Sequence, residues 1–147
     1  MDIHQSLKDD HDRIRAAIQA LREAKKHTDP LNAHLSALTA AVQHNFRREE
    51  VYYRIVDQDK RLGDRGFMHH LRNDHAALIF GMESLAIRLR KNGPIEAWWT
   101  HFENMMSVLE PHMTQEESEL FPIAQKLLKP EEWETVRTEI AALDKDA

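Results

Sequence analysis

Apolar residues recur at three- and four-residue intervals along almost the whole chain, a spacing that commits it to helices whose apolar stripes pack together. Ile3, Leu7, Ile14, Ile18 and Leu21 mark the first stripe, which runs to about Lys26. Asp2, followed three residues later by Gln5, supplies a capping box at its start. Asp29-Pro30 pairs an N-cap with a proline at the first helical position, opening a second helix that carries Leu31, Leu35, Leu38, Val42 and Phe46 and ends near Val56. The polar stretch from Asp57 to Gly66, which holds Gly63, reads as a turn. Phe67, Leu71, Leu78, Met82, Leu85 and Leu89 mark a third helix that stops at Asn92-Gly93-Pro94. Ile95, Trp98, Phe102, Met105, Leu109 and Met113 mark a fourth, and Pro111 within it predicts a kink. Pro130-Glu131-Glu132-Trp133 opens a short fifth. The expected fold is all-α: an up-down-up-down four-helix bundle with a short C-terminal fifth helix, forming a single domain over residues 1–147.

Composition narrows the chemistry. The chain has no cysteine, so any metal must be held by nitrogen and oxygen, and a reducing compartment suits it. A net charge of −5, with the basic residues spread out, offers no footprint for nucleic acid or an anionic membrane. No apolar run is long enough to span a bilayer and the N-terminus lacks a secretory signal pattern, so a cytoplasmic location is expected.

The unusual count is ten histidines. His11, His44, His75 and His112 fall one to each predicted long helix, at intervals of 33, 31 and 37 residues, which lets antiparallel helices bring them to one level. Two segments also share a pattern. His44-Asn45-Phe46-Arg47-Arg48-Glu49-Glu50-Val51-Tyr52-Tyr53 and His112-Met113-Thr114-Gln115-Glu116-Glu117-Ser118-Glu119-Leu120-Phe121 each run from a histidine through a carboxylate pair to a residue pair nine positions on. Side chains four apart share a helix face, so His112 and Glu116 can ligate one metal or a metal pair, and imidazole with carboxylate suits iron, manganese or zinc. The alternative for the pair is an ordinary surface hydrogen bond. The first segment has Arg48 where the second has Glu116, and arginine cannot ligate. Glu49 lies about 140° around a regular helix from His44, so a π-bulge would be needed to bring both inward. The alternative is a weakened site. Tyr52 and Tyr53 follow, at least one of them as core packing. His4 lies about two turns before His11 and in antiparallel register approaches Glu119, or is solvated.

These residues, with the Leu120-Phe121-Pro122 and Pro130-Glu131-Glu132-Trp133 that follow, resemble the hemerythrin-like, or HHE cation-binding, family across nearly the whole chain. The resemblance implies a bundle holding two non-haem irons per chain that meets dioxygen, nitric oxide or peroxide. By position it implies His11, His44, His75, His112 and Glu116 as metal ligands, with Glu49 standing in for the carboxylate missing at Arg48. Zinc and manganese fit the same donors. Oxygen carriers of the family have a further histidine where this chain has Leu71; His70 and His69, five and six before His75, join only through a distorted turn. Fewer imidazoles leave open coordination positions, which favours reactivity over oxygen carriage. Two other readings remain: a non-catalytic metal-binding, sensing or iron-storage module, and a metal-free helical interaction domain.

Overall fold

The computed structural model describes residues 1–27, 29–58 and 66–146. They are helical, with no strand among the described residues: α1 (Ile3–His27), α2 (Asn32–Val56), α3 (Phe67–Arg90), α4 (Ile95–Gln115), a π turn (Glu116–Leu120), α5 (Phe121–Leu127) and α6 (Pro130–Lys145). The expected turn over 57–66 is described only at Asp57, Gln58 and Gly66; its Gly63 lies outside the described residues.

The helix ends follow local chemistry. Asp2 Oδ1 accepts from the Gln5 amide at 3.2 Å, as the capping pattern predicts. Glu132 accepts from the Lys129 amide at 2.9 Å and Pro130 sits in the first turn, which together start α6. Gly66 precedes α3 at φ 67°, in the left-handed region that glycine enters without a Cβ penalty. α2 begins at Asn32, slightly after the expected Asp29-Pro30 start. α4 continues as helix through Pro111.

Packing places α1 against α2, α2 against α3, α3 against α4, and α6 across α1 and α2. The apolar interior has two parts. One holds Ile14, Ile18, Val42, Leu78, Phe102 and Met113, among others; the other holds Leu7, Tyr52, Leu71, Leu120, Phe121 and Val136. Between them, along each of the four long stripes, the apolar pattern breaks for one polar residue or pair: His11, Glu49, His75, and His112 with Glu116.

One buried ion pair ties α1 to α2. Arg48 reaches Asp10 Oδ2 at 2.7 Å and Ser6 Oγ at 2.6 Å, with Arg48 and Asp10 side chains only 6% and 1% exposed. Arg48 is thus neither a ligand nor a solvent-facing residue. It sits on the α1 side of α2, one position before Glu49.

Candidate metal centre

Glu49 is on the inner face of α2 because that face runs through Val42, Phe46, Glu49 and Tyr53, at regular helical intervals. No π-bulge interrupts α2, contrary to the sequence expectation; the π turn lies in the chain after α4, at Glu116–Leu120. His44, expected among the ligands, stands apart. Its side chain is 35% exposed and its Nε2 lies 3.7 Å from Asp10 Oδ1.

The π turn also explains how the two repeated segments correspond. A π turn holds one residue more than a regular turn, so nine positions after His112 reach the same place on the helix as eight in α2. Asn45, Glu49, Glu50 and Tyr53 therefore match His112, Glu116, Glu117 and Phe121. Asn45 is fully buried, its Nδ2 donating at 3.4 Å to Asp10 Oδ2. The signal was available in the sequence: counting back four from the first Glu of each Glu-Glu pair gives Asn45 and His112, whereas starting from the histidines gives a register one residue off.

Three imidazoles and two carboxylates converge from α1, α2, α3, α4 and the π turn. His11 Nε2 lies 2.8 Å from Glu49 Oε2 and 3.4 Å from Glu116 Oε1. His75 Nε2 is 2.9 Å from Glu49 Oε1, and His112 Nε2 is 3.1 Å from Glu116 Oε1 and 3.7 Å from Glu49 Oε1. All five residues are buried. Tyr53 completes the cluster: its hydroxyl donates to Glu116 Oε2 at 2.7 Å and lies 3.2 Å from His75 Nε2 and 3.4 Å from His112 Nε2. His69 and His70 are exposed and outside it.

Each imidazole is oriented from behind. His11 Nδ1 donates to Glu117 at 2.7 Å, His75 Nδ1 to Glu50 at 2.7 Å, and His112 Nδ1 to Asp74 at 3.0 Å. A carboxylate on Nδ1 fixes the ring so that Nε2 points inward, the arrangement that also raises an imidazole's basicity toward a metal. Asp74 serves the histidine across on α4, not the adjacent His75, because adjacent helix positions diverge by about 100°. Glu116 and Glu117 use that same divergence to reach the two different nitrogens of His11. Asp74→Ala is expected to lower metal affinity about 10- to 100-fold while leaving the number of ions bound unchanged, checked by competition with a chromogenic chelator.

Electrostatics favour a cation. Burial pulls His11 and His112 down, but hydrogen bonds and charge from Glu116 and Glu49 outweigh it and raise them to about 10 and about 11. His75 is raised likewise, against burial, by Glu49 and Glu50. Burial would push Glu49 up, yet His11, His112 and His75 hold it well below the usual carboxylate range. Protons thus occupy the positions that a metal would take, and a cation must displace them. The raised histidines stabilise the metal-free protein fully below their ordinary value of 6.5, and this is lost as pH climbs through about 10 and 11. The depressed Glu49 contributes above its ordinary 4.5, and this is lost on acidification. The urea midpoint of EDTA-treated protein is therefore expected to be highest between those two ordinary values and to fall on the alkaline side.

Two donor groups can each hold a metal ion: Glu49, His75 and His112, and His11, Glu49 and Glu116, with ligand atoms in each group within 4.8 Å of one another. A family model described as the hemerythrin HHE cation-binding domain matches residues 2–124. The chain belongs to the hemerythrin HHE cation-binding domain family. No curated protein and no solved structure gives a significant match. The HHE match ends within α5, so α6, which packs on α1 and α2, lies beyond it. The donor set fits the cation that the family binds: three Nε2 atoms face two carboxylates in a closed interior, and buried Glu116 Oε1 has His112 and His11 Nε2 at 3.1 and 3.4 Å without good hydrogen-bond geometry to either. No helix among the described residues is long and apolar enough to cross a membrane.

Proposed function

We propose that this chain holds two non-haem irons in the buried cluster and reacts there with a small oxidant or diatomic molecule: dioxygen, nitric oxide or peroxide. The observation that carries this reading is the sharing of Glu49 by both donor groups, since one carboxylate with an oxygen toward each group is how a bundle couples two ions. His75 and His112 would serve one ion with Glu49, and His11 and Glu116 the other. Bound iron supplies redox and Lewis-acid chemistry. The chain's own residues orient the donors through Glu50, Asp74 and Glu117, hold Tyr53 as a hydrogen-bond donor within the cluster, and exclude bulk water with the two apolar layers. Three imidazoles for two ions leave positions for an exogenous ligand, which favours reactivity over carriage.

A single domain with an up-down-up-down course is part of the same proposal, and side-chain contacts support it. Arg22 near the end of α1 meets Glu103 early in α4, whereas His11 meets Glu117 beyond the end of α4; Asp57 meets Arg72 and Glu50 meets His75 in the antiparallel sense. Anaerobic loading with ferrous iron, followed by metal analysis and optical spectra on adding oxygen, nitric oxide or peroxide, tests the proposal. About two irons per chain with oxo-bridge charge-transfer bands are expected. Stable binding with no spectral response to any of the three would favour storage or sensing, and no binding at micromolar iron would end the metal reading.

A further inference from the structure

A file of aromatic side chains leads from the candidate centre to the surface. Tyr53, whose hydroxyl lies among the donors, has its ring centroid 6.4 Å from that of Tyr52, and Tyr52 lies 6.4 Å from Trp133, nearly parallel to it at 28°. Both tyrosines are fully buried, while Trp133, on α6, is partly exposed. It borders a surface hollow of about 290 Å³ shared with Asp2, Ile3, Gln125 and Arg137.

Tyr52 has a base in place. Its hydroxyl is 2.7 Å from His4 Nε2, and the His4 ring stacks on Phe121 at 4.6 Å and meets Trp133 edge-on at 5.0 Å. Burial pulls His4 down to about 4, so the ring is neutral near pH 7 and Nε2 can accept the Tyr52 proton. His4 is therefore neither solvated nor paired with Glu119, as the sequence spacing had suggested.

We propose that Trp133, Tyr52 and Tyr53 form an electron path between the buried centre and the surface, with His4 as the proton partner of Tyr52. The proposal rests on the iron reading above and names hydrogen peroxide as the oxidant. Reducing one hydrogen peroxide to two waters breaks its O–O bond and takes two electrons and two protons, the protons coming from water. Where the iron does not supply the electrons, they leave Tyr52 one at a time by way of Tyr53, each as the Tyr52 hydroxyl proton passes to His4 Nε2. An electron from Trp133 restores Tyr52, the proton returns from His4, and the oxidised indole gives its own proton to water. A soluble one-electron reductant such as ascorbate then restores Trp133, with a proton regained from water. Tyrosine can give up an electron at an accessible potential only if its proton has somewhere to go, and a chain of closely spaced rings keeps each electron transfer short.

Two measurements test the path, one with iron and one without. Iron-loaded protein treated with excess hydrogen peroxide is expected to show a tyrosyl radical by freeze-quench electron paramagnetic resonance and oxidation products at Trp133 by peptide mass mapping. Trp98 and Trp99, in the other apolar cluster, serve as internal references. Tyr52→Phe, which keeps the ring, should reduce Trp133 oxidation to the level seen in protein treated without iron, and His4→Phe should suppress the radical, both with iron content unchanged. In metal-free protein, flash-generated tris(bipyridine)ruthenium(III) should oxidise Trp133 and then give tyrosyl absorption that is lost in Tyr52→Phe. Success in the flash experiment with failure of the peroxide experiment supports the path and overturns the iron reading of its inner end. Failure of the flash experiment, with the Trp133 radical decaying alone, overturns the path itself, as does undiminished Trp133 oxidation in Tyr52→Phe.

Discussion

Glu49→Ala is expected to empty both halves of the centre at once, taking iron content after anaerobic loading from about two per chain to near zero. The reason is topological: Glu49 belongs to both donor groups, facing His11 with one oxygen and His75 with the other. Glu116→Ala is the comparison. Glu116 belongs to one donor group only, so its removal should leave the Glu49, His75 and His112 group able to hold an ion, and iron content should fall to about one. Equal losses in the two variants would show that the carboxylates share the ions differently, and an unchanged count in Glu49→Ala would rule out Glu49 as a ligand. Circular dichroism of the metal-free variants separates loss of ligands from loss of fold.

The second large effect concerns the ion pair beside the centre. Arg48→Ala should cost up to about 3–5 kcal/mol of unfolding free energy, because it takes from the buried Asp10 carboxylate its closest cation and leaves the longer contact of the exposed Arg13 at 3.3 Å. Removing both charges together, as in Asp10→Leu with Arg48→Met, should cost far less, since apolar replacement of a buried pair is often neutral. Denaturant titration of the two variants and the wild type decides it, and similar losses in both would mean that the pair's worth lies in Ser6 and packing contacts. The pair has a second consequence, for geometry. Asp10 and Arg48 each precede a member of the centre, so fixing one helix on the other at this point also fixes His11 Nε2 at 2.8 Å from Glu49.

The helices were legible because their apolar periodicity is strong and their ends carry glycine, proline and acidic caps. His11, His75, His112, Glu49 and Glu116 were legible as polar breaks in those stripes. His44 lies outside the buried cluster although its depth along α2 suits a ligand, because depth says nothing about which way a side chain points around the helix. Asn45 beside it is the buried one, and the phase of Val42, Phe46, Glu49 and Tyr53 decides the matter. The carboxylates behind the imidazoles were hidden for a different reason. Glu50 and Asp74 reach across to other helices, and those pairings depend on interhelical register that no local spacing encodes. The π turn was placed in the wrong helix because one extra residue leaves no mark in a run such as Glu116-Glu117-Ser118-Glu119.

The polar layer between the two apolar clusters gives the molecule a waist. In an ordinary bundle the interior is continuous and its ends melt together, whereas here the layer between the two apolar clusters is built from His11, Glu49, His75, His112 and Glu116, ionisable groups whose pairing depends on protons or a cation. Hydrogen exchange should therefore read occupancy at the centre as a change in coupling between the two ends: with the metal removed, amides flanking Tyr52 and Val136 should open independently of those flanking Phe102, and with it bound the two groups should slow in concert.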